Sequence, residues 1–260
     1  MSHAVETMRL PNGTTLAHIN VGEAQFLYRE IFTDRCYLRH GIELRAGDVV
    51  FDIGANIGMF TLFAHLECPG VTVHAFEPAP VPFAALRANV MRHGIPGRAE
   101  QCAVSDTAGV QKMTFYPDAT LMSGFHADAA ARTELLRTLG LNGGYTAEDV
   151  DLMLAQLPDQ SEEIETPVVR LSDVITERGI EAIDLLKIDV EKNERQVLAG
   201  IEDADWPRIR QVVTEVHDID GALDEVVTLL RGHGFRVVAE QEPLFAGTGI
   251  HQVAARRVAA

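Results

Sequence analysis

Residues Asp48–Phe60 read DVVFDIGANIGMF. An apolar run climbs to an acid, Asp52, and breaks into a side-chain-poor turn, Gly54-Ala55-Asn56-Ile57-Gly58, before apolar residues resume. A hydrophobic strand delivered into such a turn, with a helix to follow, is the entry to a parallel βα unit. Glycines there let a ligand approach the backbone and leave helix N–H groups pointing at it. A dinucleotide site requires G-x-G-x-x-G, whereas this stretch has G-x-x-x-G, so pyrophosphate is not the expected ligand. An acid just before the turn would repel a pyrophosphate and suits a cationic group.

Outward from this turn the pattern repeats. VVFDI, VTVHAF, RAEQCAVS, IDLLKID, RQVVTEV and FRVVAE read as strands, separated by helical stretches such as FAALRANVMRHG and GALDEVVTLLRGHG. Near-continuous apolar strands alternating with amphipathic helices predict an α/β fold, a mostly parallel sheet with helices on both faces. GIHQVAARR, close behind FRVVAE, is expected to pair with it antiparallel at the sheet edge. The N-terminus carries a hairpin signal at Asn12-Gly13, followed by a helix over EAQFLYREIF with Phe26, Leu27, Tyr28 and Ile31 facing inward. A single domain is expected: 1–47 hairpin and helix, 48–116 cofactor-binding half, 117–166 insertion, 167–260 catalytic half. The insertion is longer than a βα connection requires, and TAEDVDLMLAQLPDQSEEIE within it has seven acids and no base. Its acidic part reads as a solvated surface helix, and its length suits a lid over the active site.

With 260 residues, 47% of them hydrophobic, the chain needs no disulfide staples. Cys36, Cys68 and Cys102 are dispersed and read as buried small hydrophobes in a reducing compartment. No leader pattern and no long apolar span is present, so a cytoplasmic location is expected. Acids outnumber bases 38 to 22, for a net charge of −16. Nucleic-acid and anionic-membrane partners depend on clustered Lys and Arg and are therefore excluded.

A second acid, Glu77, ends the next strand and can accept both hydroxyls of a ribose. Pro78 follows it, and Cys102, Ala103 and Val104 offer small side chains against which an adenine can lie. Two strand-end acids beside a turn unsuited to pyrophosphate imply an adenosine with a cationic amino-acid tail, S-adenosylmethionine. Its site is expected to include Asp52, Gly54, Asn56, Gly58 and Glu77.

VVFDIGANIGMFTLFA, HAFEPAPVPFAALRAN and IDLLKIDVEKNERQVLAGI together resemble the FkbM family of S-adenosylmethionine-dependent methyltransferases. The resemblance extends from about Tyr28 to His217. It implies a Rossmann-like methyltransferase fold with a seven-stranded sheet, and methylation of oxygen in natural-product and sugar pathways. Many members read DVEG where this chain has Asp189-Val190-Glu191-Lys192-Asn193. That version, with YREIF and MSGFHAD, looks more like the O-methyltransferases of polyketide and nonribosomal peptide assembly, whose acceptors are small molecules, free or tethered to a carrier protein.

Reacting groups of an open α/β sheet gather at the carboxyl ends of its strands. Asp189 and Glu191 follow one strand, and Glu215 and His217 end another. An aliphatic hydroxyl must lose its proton during attack, and His217 is the expected general base because imidazole titrates near neutrality. Glu191 or Glu215 would orient its ring, and His126 is the second choice. A metal-dependent variant would place Mg²⁺ on Asp189 with Glu215 or Asp218, and Lys187 is expected in an ion pair near the sheet edge. Tyr28, Phe32 and Tyr37 precede the first strand and are expected to close over the methionine end, Tyr37 foremost. Met122, Ser123 and Gly124 are assigned to the acceptor side, with Tyr28 and His126. A nicotinamide oxidoreductase and a non-catalytic nucleoside sensor are the competing functions. The missing G-x-G-x-x-G weighs against the first, and His217 against the second.

Overall fold

The computed structural model describes residues 4–156 and 160–258, so part of the insertion, 157–159, lies outside the described residues. The N-terminal hairpin pairs β1 (Glu6–Arg9) with β2 (Thr15–His18). Gly13 supplies the left-handed turn residue at φ +84°. Asn20 then caps α1 (Val21–Tyr28), its side chain accepting from the amides of Gly22 and Glu23. The helix does not continue regularly. Arg29–Thr33 widens into a π turn closed by Asp34 N–H donating to Arg29 C=O at 2.8 Å.

Strand β3 (Val49–Ile53) leads through the glycine turn into α2 (Met59–Glu67). There follow β4 (Thr72–Phe76), α3 (Pro80–His93) and β5 (Gly97–Glu100). The stretch RAEQCAVS, expected as one strand, breaks at Gln101-Cys102. Its second half is β6 (Ala103–Ser105), which leaves the main sheet. With β7 (Gly109–Phe115) and β8 (Glu162–Arg170) it forms a small sheet of order β6-β8-β7. Between β7 and β8 hang α4 (Ala129–Asn142) and α5 (Ala147–Ala155). The acidic half of the insertion is thus not one helix, because its SEEIE end belongs to β8. The chain closes with α6 (Leu171–Arg178), β9 (Leu185–Ile188), α7 (Glu194–Ala199), β10 (Gln211–His217), α8 (Ala222–Gly232), β11 (Phe235–Glu240) and β12 (Ile250–Arg257).

The main sheet has seven strands in the order β11-β12-β10-β9-β3-β4-β5. β10, β9, β3, β4 and β5 run parallel, and β12 alone is antiparallel to its neighbours. The expected antiparallel pair exists, but β12 inserts between β10 and β11, leaving β11 at the edge. Period-2 alternation sorts neighbouring residues onto opposite faces. Val50, Leu185 and Val213 pack toward α2, α3 and the hairpin, while Phe51, Leu186 and Val212 pack toward α6, α7 and α8. Cys36 and Cys102 are buried as expected; Cys68 is half-buried, and all three are free thiols. No helix among the described residues is long and apolar enough to cross a membrane.

Candidate active site

At the carboxyl ends of β9 and β3 a buried charge fixes the backbone. Lys187 and Asp52 face each other across the paired strands, with Lys187 Nζ 3.1 Å from Asp52 Oδ1 and 3.7 Å from Asp189 Oδ2. The ammonium also donates to the carbonyl of Gly54 at 2.8 Å, and Thr61 Oγ1 donates to the other oxygen of Asp52 at 2.6 Å. Burial works against the Lys187 charge, but Asp52 and Asp189 outweigh it and the pKa lies above the ordinary value. The ion pair is the one expected of Lys187, at the centre of the sheet rather than near its edge. Asp52 is 0% exposed, so it neutralises this lysine and is not open to a ligand.

The glycine turn also departs from expectation. Gly54 and Ala55 N–H both donate to Phe76 C=O, Ile57 N–H to the Asn56 side chain, and Gly58 N–H to Ala55 C=O. Its amides are spent on partners within the protein. Its glycine serves close approach: at φ +74°, a Cβ on Gly54 would stand 1.7 Å from the Asp189 carbonyl. Gly58, at φ +81°, packs on Leu86 and lines neither of the two cavities above these strand ends.

Two cavities open above these strand ends. The smaller spans about 690 Å³, counting space open to solvent. Gly54, Asn56 and Phe76 form one side, Glu77 and Pro78 the end of β4, and Cys102, Ala103 and Val104 the facing wall. Glu77 accepts from Asn56 N–H and Ala79 N–H, each at 2.8 Å, one on each oxygen. Each oxygen keeps a lone pair for a ligand. Burial pushes this carboxyl up to about 7, against the two amide bonds that lower it. Asn193 supports the far wall by donating to Val104 C=O at 3.3 Å.

The larger cavity, about 1010 Å³, is walled by Phe26 and Leu27 of α1, Leu135, Leu136 and Leu139 of α4, and Phe245 and Ile250 near β12. Its floor is acidic: Glu30, Asp189, Glu191 and Glu215. The two cavities share Leu121, Asp189 and Glu191. Burial, then the charge of Asp189, raises Glu30 to about 8, and the same two causes hold Glu215 well above the carboxylate range. Insertion and N-terminal helix are joined here, since Glu23 accepts from Thr120 Oγ1 at 2.8 Å and Thr120 accepts from Asn56 Nδ2 at 3.1 Å. Asn142 fastens the other side of α4, donating to the carbonyls of Leu244 and Ala246.

Several expected contacts fall elsewhere. His217 is 6% exposed and lines neither cavity. Its Nδ1 lies 3.1 Å from Glu194 and its Nε2 3.3 Å from Glu191. Burial opposes its charge, but these two carboxylates prevail and lift the pKa well above 6.5. An imidazolium held between two acids is not poised to accept a proton. Of the expected metal ligands, Asp189 and Glu215 line the same cavity, whereas Asp218 is apart, exposed and accepting from Leu223 N–H at the start of α8. The donors that converge, within 4.8 Å, are those of Glu191, Glu215 and His217, and the imidazolium already supplies a positive charge there. Tyr37 lines neither of these two cavities but donates to Asp189 Oδ2 at 2.8 Å, fixing that carboxylate. Tyr28 stacks on Phe32 and reaches neither cavity. Met122 lines the larger cavity, whereas Ser123 and Gly124 line the smaller. His126 is exposed and lines neither.

The sequence reading missed Glu30, Glu23, Thr120, Asn193 and Glu194. Glu30 had a signal: it lies three residues after Leu27 and one before Ile31, on the face those buried residues define.

Comparison with known proteins places the chain in a family. A model described as the methyltransferase FkbM domain matches residues 52–237. The chain is 84% identical over 259 residues to 31-O-demethyl-FK506 methyltransferase FkbM of Streptomyces tacrolimicus, covering all of both chains. It is 38% identical over 252 residues, 92% of its length, to the AMB antimetabolite synthetase AmbE of Pseudomonas aeruginosa, of which it spans 12%. Among solved structures, the FkbM methyltransferase of Methylobacillus flagellatus KT superposes with a TM-score of 0.54 at 13% identity, over 84% of this chain and 46% of that one. That likeness speaks for the fold alone. The nicotinamide reading is set aside, for the chain belongs to the FkbM family of methyltransferases.

Proposed function

We propose that the chain methylates a hydroxyl group of a bulky, largely apolar macrolide of the FK506 type, with S-adenosylmethionine as donor. The observation that carries the reading is the meeting of two cavities at Asp189 and Glu191, the smaller cut for a nucleoside and the larger lined by leucine and phenylalanine. The 84% identity to a 31-O-demethyl-FK506 methyltransferase supports the acceptor class.

The residues present suit the donor. Glu77 offers two buried oxygens, each with a lone pair open to a ribose hydroxyl. Cys102, Ala103, Val104 and Phe76 form an apolar slot for a flat base. Asp189 and Glu191 place negative charge where a sulfonium and an ammonium require it. S-adenosylmethionine, when bound, supplies an electrophilic methyl group on a cationic sulfur. Lys187 and Tyr37 hold Asp189 in place, and the closeness of Gly54 to the Asp189 backbone fixes the floor on which the two substrates meet. Positioning of this kind provides much of the rate in a direct displacement. Helix α4 acts as a lid whose Leu135, Leu136 and Leu139 cover the acceptor and exclude water.

The test is direct. Purified protein, methyl-labelled S-adenosylmethionine and 31-O-demethyl-FK506 should yield a macrolide carrying one labelled methyl group at oxygen, read by mass spectrometry. Absence of label on the macrolide, with turnover on some other alcohol, would remove the acceptor from the proposal and leave the methyl transfer.

A further inference from the structure

The acceptor's proton has no recipient in His217, and the floor of the larger cavity supplies another. Six acids line that cavity: Glu23, Glu30, Asp118, Asp189, Glu191 and Glu215. Glu23 is engaged by Thr120 and by Leu121 N–H, and its neighbour Asp118 belongs to the same corner. Asp189 receives the Tyr37 hydroxyl and faces Lys187. Glu191 is held by His217. Among the described residues, the carboxylates of Glu30 and Glu215 alone in this set have no hydrogen bond or ion pair. Glu215 is 8% exposed, at the end of β10. Glu30 is half-buried on the π turn after α1, the kind of local widening that recurs at functional sites.

We propose that Glu30 and Glu215 act together as the general base, a carboxyl pair that takes the acceptor's hydroxyl proton as its oxygen attacks the methyl group. The inference rests on the reading of the larger cavity as the acceptor site. In the step, the O–H proton passes to the pair and the oxygen lone pair forms the O–CH₃ bond. The S–CH₃ bonding electrons return to sulfur, leaving a neutral thioether, S-adenosylhomocysteine. The protonated pair later releases its proton to water. An aliphatic hydroxyl is about as weak an acid as water (~15.7), so an ordinary carboxylate is a poor base for it. Leucine walls make this pair a stronger one. The charged groups facing the two carboxyls bear on their titration: Asp189, Asp34, Glu242 and Glu191 disfavour ionisation, while Lys187 and His217 favour it; the nearby Cys36 thiol is itself raised by burial and by both carboxylates and stays neutral. Burial dominates for both members, and the balance raises both. The charge of Glu30 raises Glu215, and both carboxyls feel the charge of Asp189.

The variants Glu30→Gln, Glu215→Gln and the double substitution test this with 31-O-demethyl-FK506 and saturating S-adenosylmethionine. General-base assistance contributes about 10²–10⁴-fold, so the double variant should lose turnover by that factor. Each single variant should lose at least about ten-fold, and its rising limb of kcat/KM against pH should move to lower pH, because one repulsive neighbour is gone. S-adenosylhomocysteine affinity should stay within about three-fold, since neither residue lines the smaller cavity. Turnover of the double variant within about ten-fold of wild type would overturn the proposal. So would a single variant whose pH limb is unmoved, or a ten-fold loss of S-adenosylhomocysteine affinity. A second measurement needs neither variant folding nor an acceptor: carboxyl ¹³C resonances of glutamate-labelled wild-type protein. Burial raises Glu23, Glu77 and Glu191 too, so two carboxyls titrating above the ordinary glutamate range beyond those three support the pair; none beyond them removes it. Failure of the wild type on the macrolide alone would count against the acceptor and leave this titration to decide the base.

Discussion

The two cavities are built by different means. Around the smaller cavity, backbone does the shaping: the Gly54 turn folds against the Asp189 carbonyl, and Glu77 is aimed by the amides of Asn56 and Ala79. Around the larger cavity, long side chains from separate elements do it: leucines of α4, Phe26 of α1 and Phe245 before β12, with acids from α1, the π turn after it, the loop after β9, and β10. A cavity shaped by backbone tolerates few residues at each position, so it is written in short motifs. A cavity shaped by side chains from separate elements can be remade one residue at a time without disturbing the sheet.

The sharpest way to break this contrast is to remove what the two sides share. Lys187→Met leaves Asp52 charged, fully buried and unpaired, and should cost roughly 3–5 kcal/mol of stability, measured by urea unfolding. Adding Asp52→Asn should recover much of it, since the isolated charge is then gone. A loss below about 1 kcal/mol would mean that the central pair is not the common foundation. Glu77→Ala comes next and should touch the cofactor side alone. Losing charge-assisted bonds to a ribose costs about 1.5–3 kcal/mol each, so S-adenosylhomocysteine should bind at least ten-fold more weakly by calorimetry.

The pH dependence refines that second effect. The Glu77 carboxyl, ordinarily near 4.5, sits at about 7 in the fold. The folded chain holds this proton more tightly than the unfolded chain, so its contribution to stability falls as pH rises from about 4.5 toward 7. Ligand affinity runs the other way, because the ionised form is the better acceptor for ribose hydroxyls. Cofactor-product binding should weaken by up to about ten-fold per pH unit below 7, and Glu77→Gln should flatten that dependence. Smallest is Leu139→Ala in the wall of the larger cavity. It should raise the macrolide KM by about five-fold, roughly 1 kcal/mol of lost apolar contact, and leave cofactor affinity unchanged. A matching loss of cofactor affinity would show that the two sides are not separable.

That division also sets what could be read from the sequence. The strand-turn-helix at Asp48–Phe60, the acid at Glu77 and the small residues Cys102–Val104 are contiguous features, and the structure places Gly54, Glu77 and Cys102–Val104 around one cavity. Asp52 was misplaced because its partner Lys187 arrives from another strand, 135 positions later, and no local pattern announces it. His217 was misread for the same reason: Glu194 and Glu191, which hold its ring, come from α7 and the loop before it. Seven mostly parallel strands followed from apolar periodicity and family resemblance. The departure of β6 into a second sheet did not, because RAEQCAVS keeps its strand-like composition across the break at Gln101-Cys102. Glu30 escaped because an acid in an amphipathic helix reads as solvent-facing unless its spacing to Leu27 and Ile31 is checked.

The pairing of β7 with β8 has an evolutionary consequence. Phe115 and Glu162 stand opposite one another in that antiparallel register, so the chain leaves for the insertion and returns from it at neighbouring points. Closing a loop between fixed, adjacent ends costs only slowly more as the loop lengthens. The hairpin therefore behaves as a socket, into which lineages can plug insertions of different length and composition while the sheet beneath is inherited unchanged. Diversification of acceptors within such a lineage should be concentrated in what is plugged in there, and the strand ends below should change last.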